Sequence, residues 1–112
     1  MEKTIRFIKG DTTTLTWEFT NSLTNLPVDM SSKVFTFTVK KRFRYADSLA
    51  SIQKTGNSFS ITLGTVTLAL SSSDTKINSG VYVADLQWND TGKIVTVGVY
   101  NLEVLEEVSI NE

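Results

Sequence analysis

The sequence predicts an antiparallel β-sandwich, and three observations carry this prediction. Apolar and polar residues alternate along most of the chain, which is the period of a strand with one buried face. Turn-forming residues recur roughly every 8 to 15 residues, as expected for many short strands. The chain has 112 residues, enough for one domain to bury a core without disulfides. Strands without intervening helical patterns favour a sandwich over a parallel sheet.

The composition excludes several kinds of chemistry. The chain has no cysteine and no histidine, which removes disulfides, thiolate metal sites and the commonest general base. Eleven basic and twelve acidic residues give a net charge of −1, so no overall field attracts nucleic acid or an anionic membrane. We therefore expect no enzyme activity, no cofactor and no metal site, and partners recognised through local surface.

Two strands are predicted first, at residues 4–8 and 12–20, separated by a turn at Gly10-Asp11. The second strand lies in the segment KGDTTTLTWEFT, where threonines and a glutamate alternate with apolar residues. Its polar face is expected to meet water or a neighbour. Its core face is expected to carry Leu15, Trp17 and Phe19.

The next segment, residues 21–32, is rich in turn formers and holds the only proline, so it is predicted to be a loop. Three of its side chains are expected to plug the core: Leu26, Val28 and Met30. A third strand follows at residues 34–41, with Phe35, Phe37 and Val39 inward. Alternation stops at residues 42–57, which are compatible with a short helical turn, a bulged edge strand, or both.

The two-residue period returns at residue 58 and is interrupted at Gly64. The expected inward residues on either side of this break are Phe59, Ile61, Leu63, Val66, Leu68 and Leu70. The following segment, SSSDTKINSG, predicts one helical turn capped by Ser72 or Ser73 and ended by Gly80.

A final hairpin is predicted from residues 81–88 and 93–104, joined by a tight turn at residues 89–92. The inward residues of its first strand are Tyr82, Ala84, Leu86 and Trp88. The apolar phase of the returning strand changes near Gly98, which indicates a β-bulge. In Gly80-Val81-Tyr82, the tyrosine at a strand start fits a tyrosine corner, although an ordinary core aromatic fits equally well.

Six segments occur in a fixed order: KGDTTTLTWEFT, LPVDMSS, VFTFTVKKR, ADSLASIQK, ITLGTVTLALSSSDTKINSGVYVADLQWND and VGVYNLEV. In this order they resemble the immunoglobulin-like domain at the front of bacteriophage baseplate upper proteins, which also occurs in small phage virion proteins. The shared features include Gly-Asp before a threonine-rich strand, Ile-Gln-Lys, and a Ser/Thr-Asp turn leading into Gly-x-Tyr. The resemblance spans residues 6–104. It implies an immunoglobulin-like β-sandwich of about seven to eight strands at residues 1–104, followed by a C-terminal tail at 105–112.

The resemblance also implies a non-enzymatic virion structural protein, either a tail or baseplate component or a capsid decoration. Its partners would be other virion proteins, and a homo-oligomer is compatible with the sequence. The N-terminus lacks a signal-peptide pattern, so we expect synthesis in the host cytoplasm and assembly into the virion. The alternative is a carbohydrate- or receptor-binding module of similar shape. Such modules need exposed aromatic platforms, whereas Trp17 and Trp88 are both predicted to face inward.

The only concentrated charge forms a basic corner of six residues: Lys40, Lys41, Arg42, Phe43, Arg44 and Tyr45. Three interpretations apply to it. The cations could end an edge strand and prevent aggregation while their stems cover the rings. They could dock onto an acidic protein neighbour. Binding of a nucleic-acid backbone is the weakest interpretation.

The tail is acidic and carries three spaced apolar residues: Leu105, Val108 and Ile110. It is compatible with a frayed end and with a strand that adds to a neighbouring subunit's sheet edge. The carboxylates Asp11, Asp29 and Asp90 are predicted to cap turns, because no calcium-loop spacing occurs. Asp85 is expected to face solvent or to pair with a lysine of a neighbouring strand.

Overall fold

Two β-sheets make up the computed structural model, which describes residues 3–42 and 50–106. The eight strands are β1 (Lys3–Ile8), β2 (Thr13–Glu18), β3 (Val34–Lys40), β4 (Ile52–Thr55), β5 (Phe59–Thr62), β6 (Thr65–Leu70), β7 (Gly80–Asp90) and β8 (Lys93–Leu105). A short 3₁₀ turn, Gly56–Ser58, joins β4 to β5. Within the described ranges, no helix is long and apolar enough to cross a membrane. The predicted all-β sandwich is confirmed.

One sheet has five strands in the order β1-β8-β7-β3-β4, and the other has three in the order β2-β6-β5. Every pairing between these strands is antiparallel except that of β1 with β8. The order matches an immunoglobulin arrangement, with β2, β6 and β5 as strands B, E and D. Strands β3, β7 and β8 take the places of C, F and G, and β4 adds to that sheet beside β3. The first strand pairs with β8 instead of β2, which leaves β2 at an edge.

The core lies between the sheets and is centred on aromatic rings. Phe35 lies 5.8 to 6.2 Å, centroid to centroid, from three other rings: Phe19, Phe59 and Trp88. Trp17 lies 5.7 Å from Phe37 in the opposite sheet. Tilted and edge-on ring pairs at these distances add stability beyond their apolar burial. Both tryptophans pack against the core, as the alternation predicts.

Tyr82 forms a tyrosine corner. Its side chain is 2% exposed, and its hydroxyl donates a hydrogen bond of 2.6 Å to the backbone carbonyl of Asn78, four residues upstream. Burial raises the pKa of the Tyr82 hydroxyl, since the charged phenolate would lose its hydration. Of the two sequence interpretations of this residue, the tyrosine corner is confirmed.

The last hairpin has the predicted turn and the predicted bulge. Thr91 and Gly92 have φ values of 53° and 89°, the positive φ at both central positions that a type I′ turn requires. Leu86 is opposite Gly98 and Gln87 is opposite Thr96, so Val97 is the extra residue of a bulge. Past the bulge the inward phase changes, and the buried residues are Tyr100, Leu102 and Val104.

Two side chains that were predicted to face the core are exposed instead, because each lies in a local turn or loop. Leu63 lies in the tight β5–β6 turn beside Gly64 and is 65% exposed. Leu26 is 63% exposed, in a loop closed by the bond from the Asn21 amide to the Leu26 carbonyl. Val28 and Met30 do pack against the core, as predicted.

The segment after β6 forms the predicted single turn, closed by the bond from the Thr75 amide to the Ser71 carbonyl at 3.1 Å, but its cap is not Ser72 or Ser73. Ser71 takes the capping role: its amide donates to Asp74 Oδ2 at 2.9 Å, and its hydroxyl accepts from the Asp74 amide at 3.2 Å. Gly80 begins β7 and therefore does not end a helix. Of the ambiguous residues 42–57, the described part contains the edge strand β4 and the start of the 3₁₀ turn; residues 43–49 lie outside the described ranges.

An ion pair ties this turn to the edge strand β4. Lys54 Nζ lies 2.8 Å from Asp74 Oδ1, and the two side chains are 28% and 20% exposed. The hydrogen bond from Lys54 lowers the pKa of Asp74 below its usual value, with the Ser71 bonds adding to this effect and burial opposing it.

We expect replacement of Tyr82 by phenylalanine to lower the free energy of unfolding by about 0.5 to 1.5 kcal/mol, because the hydrogen bond from the Tyr82 hydroxyl to the Asn78 carbonyl is lost. Urea unfolding monitored by tryptophan fluorescence measures this, with Tyr82→Leu as the variant that also loses ring packing. An unchanged urea midpoint for Tyr82→Phe would show that the corner bond contributes nothing.

We expect Asp74→Asn to be less stable than the parent by on the order of 1 kcal/mol at pH 7. Because the folded pKa of Asp74 lies below its unfolded value, this contribution is complete above about pH 4 and is lost as pH falls through the folded pKa. The difference between parent and variant in urea unfolding should therefore narrow as the pH falls below about 4. A gap that stays the same between pH 7 and the most acidic pH at which the protein folds would contradict the assignment.

Candidate protein-interaction site

Strand β2 has one unpaired edge. It pairs with β6 on one side, and no strand in the described part of the chain pairs with its other side. The Phe19 amide donates to the Gly64 carbonyl at 2.7 Å, in the same register as the β2–β6 ladder. Since bonded and non-bonded pairs alternate, the backbone groups of Thr14, Thr16 and Glu18 point to the open edge. The edge thus offers donors and acceptors to another strand.

A groove of about 200 Å³ runs beside this edge, between β2 and the edge strand β1 of the other sheet. Its lining combines apolar and hydroxyl groups: Thr4, Ile5, Leu15, Thr16, Trp17 and Tyr100. The groove exists because β1 pairs with β8 and no described strand covers the space between the sheet edges. An apolar groove beside an open strand edge is suited to an extended peptide with alternating apolar side chains.

A hydrogen bond between the two sheets fixes the floor of the groove. Trp17 Nε1 donates to the Tyr100 hydroxyl at 3.0 Å. The Tyr100 ring lies over Gly98, where an added Cβ would collide with the hydroxyl and the ring. Gly98 therefore has a steric role here, in addition to its place beside the bulge. Because the rings of Phe37 and Phe59 also contact Trp17, the indole is held in one position.

Sequence reasoning identified the apolar and aromatic residues of this groove only as core positions. The alternation of Leu15 and Trp17 and the spacing Gly98-x-Tyr100 were visible, but neither shows which strands form sheet edges. To locate the groove from the sequence, one would need to know which strand pairs with β1. A strand that begins a domain can join either sheet, and its local pattern is the same in both cases.

The structure describes half of the basic corner. Lys40 ends β3 and is partly buried, whereas Lys41 and Arg42 are exposed. Lys41 Nζ lies 5.6 Å from the centroid of the Tyr82 ring, so this cation covers the tyrosine corner. The other three predicted residues, Phe43, Arg44 and Tyr45, lie outside the described residues.

The basic corner and the groove lie apart. Lys40 is opposite Val83, Val83 is opposite Asn101, and Asn101 is opposite Thr4. This row crosses three strand spacings, about 14 Å. Asp85, predicted to face solvent or pair with a lysine, lies on the same outer sheet face as Lys40 and lines a small depression with it.

The predicted tail begins within β8. Leu105 is the last residue of that strand, is opposite Ile8 and is 44% exposed. Glu106 Oε1 accepts a hydrogen bond of 2.6 Å from the Ser79 hydroxyl. Val108 and Ile110 lie outside the described residues.

Two of the candidate carboxylates, Asp29 and Asp90, have separate local partners. Asp29 caps a turn as predicted, accepting from the Ser31 amide at 2.9 Å, and this bond lowers the Asp29 pKa. Asp90 accepts from Lys33 Nζ at 3.3 Å, which lowers its pKa in the same direction. Over the described ranges, no three acidic side chains come together in a group that could hold a metal ion.

Comparison with models of known protein families gives no match, and comparison with curated proteins gives none either.

We expect Gly98→Ala to lower the free energy of unfolding by about 1 to 3 kcal/mol, because its methyl group must displace Tyr100. The displacement would also break the Trp17–Tyr100 bond and change the emission of Trp17, measured in a Trp88→Phe background. In a Tyr100→Leu background the penalty of Gly98→Ala should shrink, since the colliding ring is gone. An equal penalty in both backgrounds would refute this role of Gly98.

Proposed function

We propose that this protein is a non-enzymatic bacteriophage virion structural protein, a component of the tail or baseplate or a decoration of the capsid. Its work is to hold protein surfaces together. The observation that carries the proposal is the open edge of β2 beside an apolar groove. The order of sequence segments shared with phage baseplate immunoglobulin-like domains supplies the virion context.

An open strand edge is a binding surface in its own right. Its backbone groups can pair with any extended segment, so the edge gives affinity, while the groove selects side chains. In a monomer that works alone, an exposed edge is a hazard for aggregation. In a particle, the same edge can be covered by a neighbouring subunit.

The outer face of the three-stranded sheet offers a second contact surface. It carries short polar side chains almost throughout: Thr14, Thr16, Glu18, Ser60, Thr62, Thr65, Thr67 and Ala69. Hydroxyl groups both donate and accept hydrogen bonds, and interfaces between proteins commonly include such bonds and bridging water. This face is therefore suited to a wet contact with a neighbour, and it contains no aromatic platform for a sugar.

Quantitative mass spectrometry of purified particles, from the phage or induced prophage that encodes the chain, tests the proposal. Hundreds of copies per particle would support a capsid decoration, and a few to a few dozen would support a tail or baseplate position. Absence of the chain from the particle would refute the virion function.

We expect glutamine at Lys41, Arg42 and Arg44 to weaken incorporation into particles, if the basic corner docks onto an acidic neighbour. Thermal stability should change little, because the exposed cation over the Tyr82 ring is worth only about 0.5 to 1 kcal/mol. Incorporation is measured by complementing a phage that lacks the gene.

The matched control keeps the charge: Lys41→Arg, Arg42→Lys and Arg44→Lys together should incorporate normally. Normal incorporation of the glutamine variant would remove docking at the basic corner and leave its role in solubility.

A further inference from the structure

The open edge of β2 has both requirements of a strand-addition site. Thr14, Thr16 and Glu18 present their backbone groups to the edge, as the alternation of the β2–β6 ladder requires. The groove beside them is lined by Ile5, Leu15 and other apolar groups. A strand added here would direct every second side chain toward the groove. The segment that fits must therefore carry apolar residues two positions apart, with polar residues between them.

The chain itself contains such a segment, in the residues that follow the described part of the chain. In the tail, Val108 and Ile110 are two positions apart and are separated by Ser109. Acidic residues flank the pair, with Glu107 before it and Glu112 after it.

Charge favours the same pairing. Lys9 lies in the turn that leads into β2, and the bond from the Gly10 amide to the Thr75 carbonyl brings the neighbouring Lys76 to that turn. Two cations thus lie near the start of β2, together with one acidic residue of the same turn, Asp11. Because the tail is acidic on both sides of its apolar pair, either strand direction brings a glutamate to these lysines.

We propose that residues 107–112 of one copy add as a strand to the open edge of β2 in a second copy, with Val108 and Ile110 over the groove. This inference rests on the proposed assembly function and names its partner, another copy of the same chain. The contact joins the tail of one protomer to the groove of the next. The tail of one copy thus supplies the apolar side chains that the groove of the other copy buries.

The hydrogen bond of Glu106 favours a second copy over the protomer's own groove. Its partner Ser79 immediately precedes β7, and β7 pairs with β8 on the side away from β1. The last described residue is therefore tied to the side of β8 that is farther from the groove. To reach its own β2, the tail would have to turn back from this side and pass the end of β1.

Two full-length variants separate the donor from the receiver. Replacing Val108 and Ile110 by serine removes the donor side chains and leaves the groove intact. Thr16→Pro removes an amide that faces the open edge and no bond to β6, because proline is tolerated on the unpaired side of an edge strand. The double substitution Ser109→Thr with Asn111→Gln is the control, since both positions lie on the other face of the added strand and neither carries a charge.

Sedimentation velocity over a concentration series measures self-association. We expect the parent and the control to self-associate, and each of the two test variants to do so at least tenfold more weakly. Mixing the two test variants should restore a 1:1 complex, because one retains the tail and the other retains the groove. Circular dichroism melting of each variant checks that it is folded. If Thr16→Pro unfolds, Thr16→N-methylthreonine, introduced by chemical ligation, replaces it and must give the same result.

Three results would overturn the inference: a parent that stays monomeric, self-association that survives serine at both tail positions, or a mixture that forms no complex. These outcomes leave the virion function standing if mass spectrometry finds the chain in particles. Conversely, absence from particles refutes that function even if the tail and groove bind each other.

Discussion

The bulge at Val97 is the constraint on which the rest of the sandwich depends. A strand of thirteen residues, β8, pairs with β7 along its length, and the extra residue changes which side chains face the core. Before the bulge, Val95 and Val97 point toward the interior; after it, Tyr100 and Leu102 do. Without the change, the second half of the strand would place Val99 and Asn101 inward and leave the core without its tyrosine.

The position of Tyr100 then links the two sheets. Its hydroxyl accepts from the Trp17 indole across the sandwich, and Gly98 leaves the space that the ring occupies. Trp17 in turn contacts Phe37 and thereby the aromatic core. A single backbone irregularity in one sheet thus sets the floor of a groove whose open edge belongs to the other sheet.

The parallel pairing of β1 with β8 completes this arrangement. It is closed by the bond from the Lys9 amide to the Leu105 carbonyl at 2.9 Å, after which the chain turns at Gly10 into β2. The first strand therefore covers β8, becomes an edge strand of the five-stranded sheet, and leaves β2 uncovered at the edge of the three-stranded sheet. The alternation of polar residues with Leu15 and Trp17 in β2 explains how this strand can contact both the core and a partner. Its apolar face closes the core, and its backbone edge is available to a partner.

The positions of most strands, and the side chains that face inward, could be predicted from the amino-acid sequence alone. The two-residue period is a local property, so Phe35, Phe37 and the inward residues of β7 could be read directly. Tyr82 and the Thr91-Gly92 turn were also local signals, since each depends on residues only a few positions away. Leu63 and Leu26 were misassigned because a tight turn or a closed loop overrides the period within a few residues.

The tertiary structure alone decided which strands became edges, and hence where the candidate site lies. Sheet order depends on contacts between residues far apart in the chain, such as Ile8 with Leu105 and Trp17 with Tyr100. A strand carries the same alternation at the centre of a sheet and at its edge. The alternation depends on which side chains are buried, whereas the backbone hydrogen bonds that distinguish an edge strand do not depend on the residue types. The apolar residues of the groove could therefore be predicted only as core residues. Strand pairing is what places them beside an open edge.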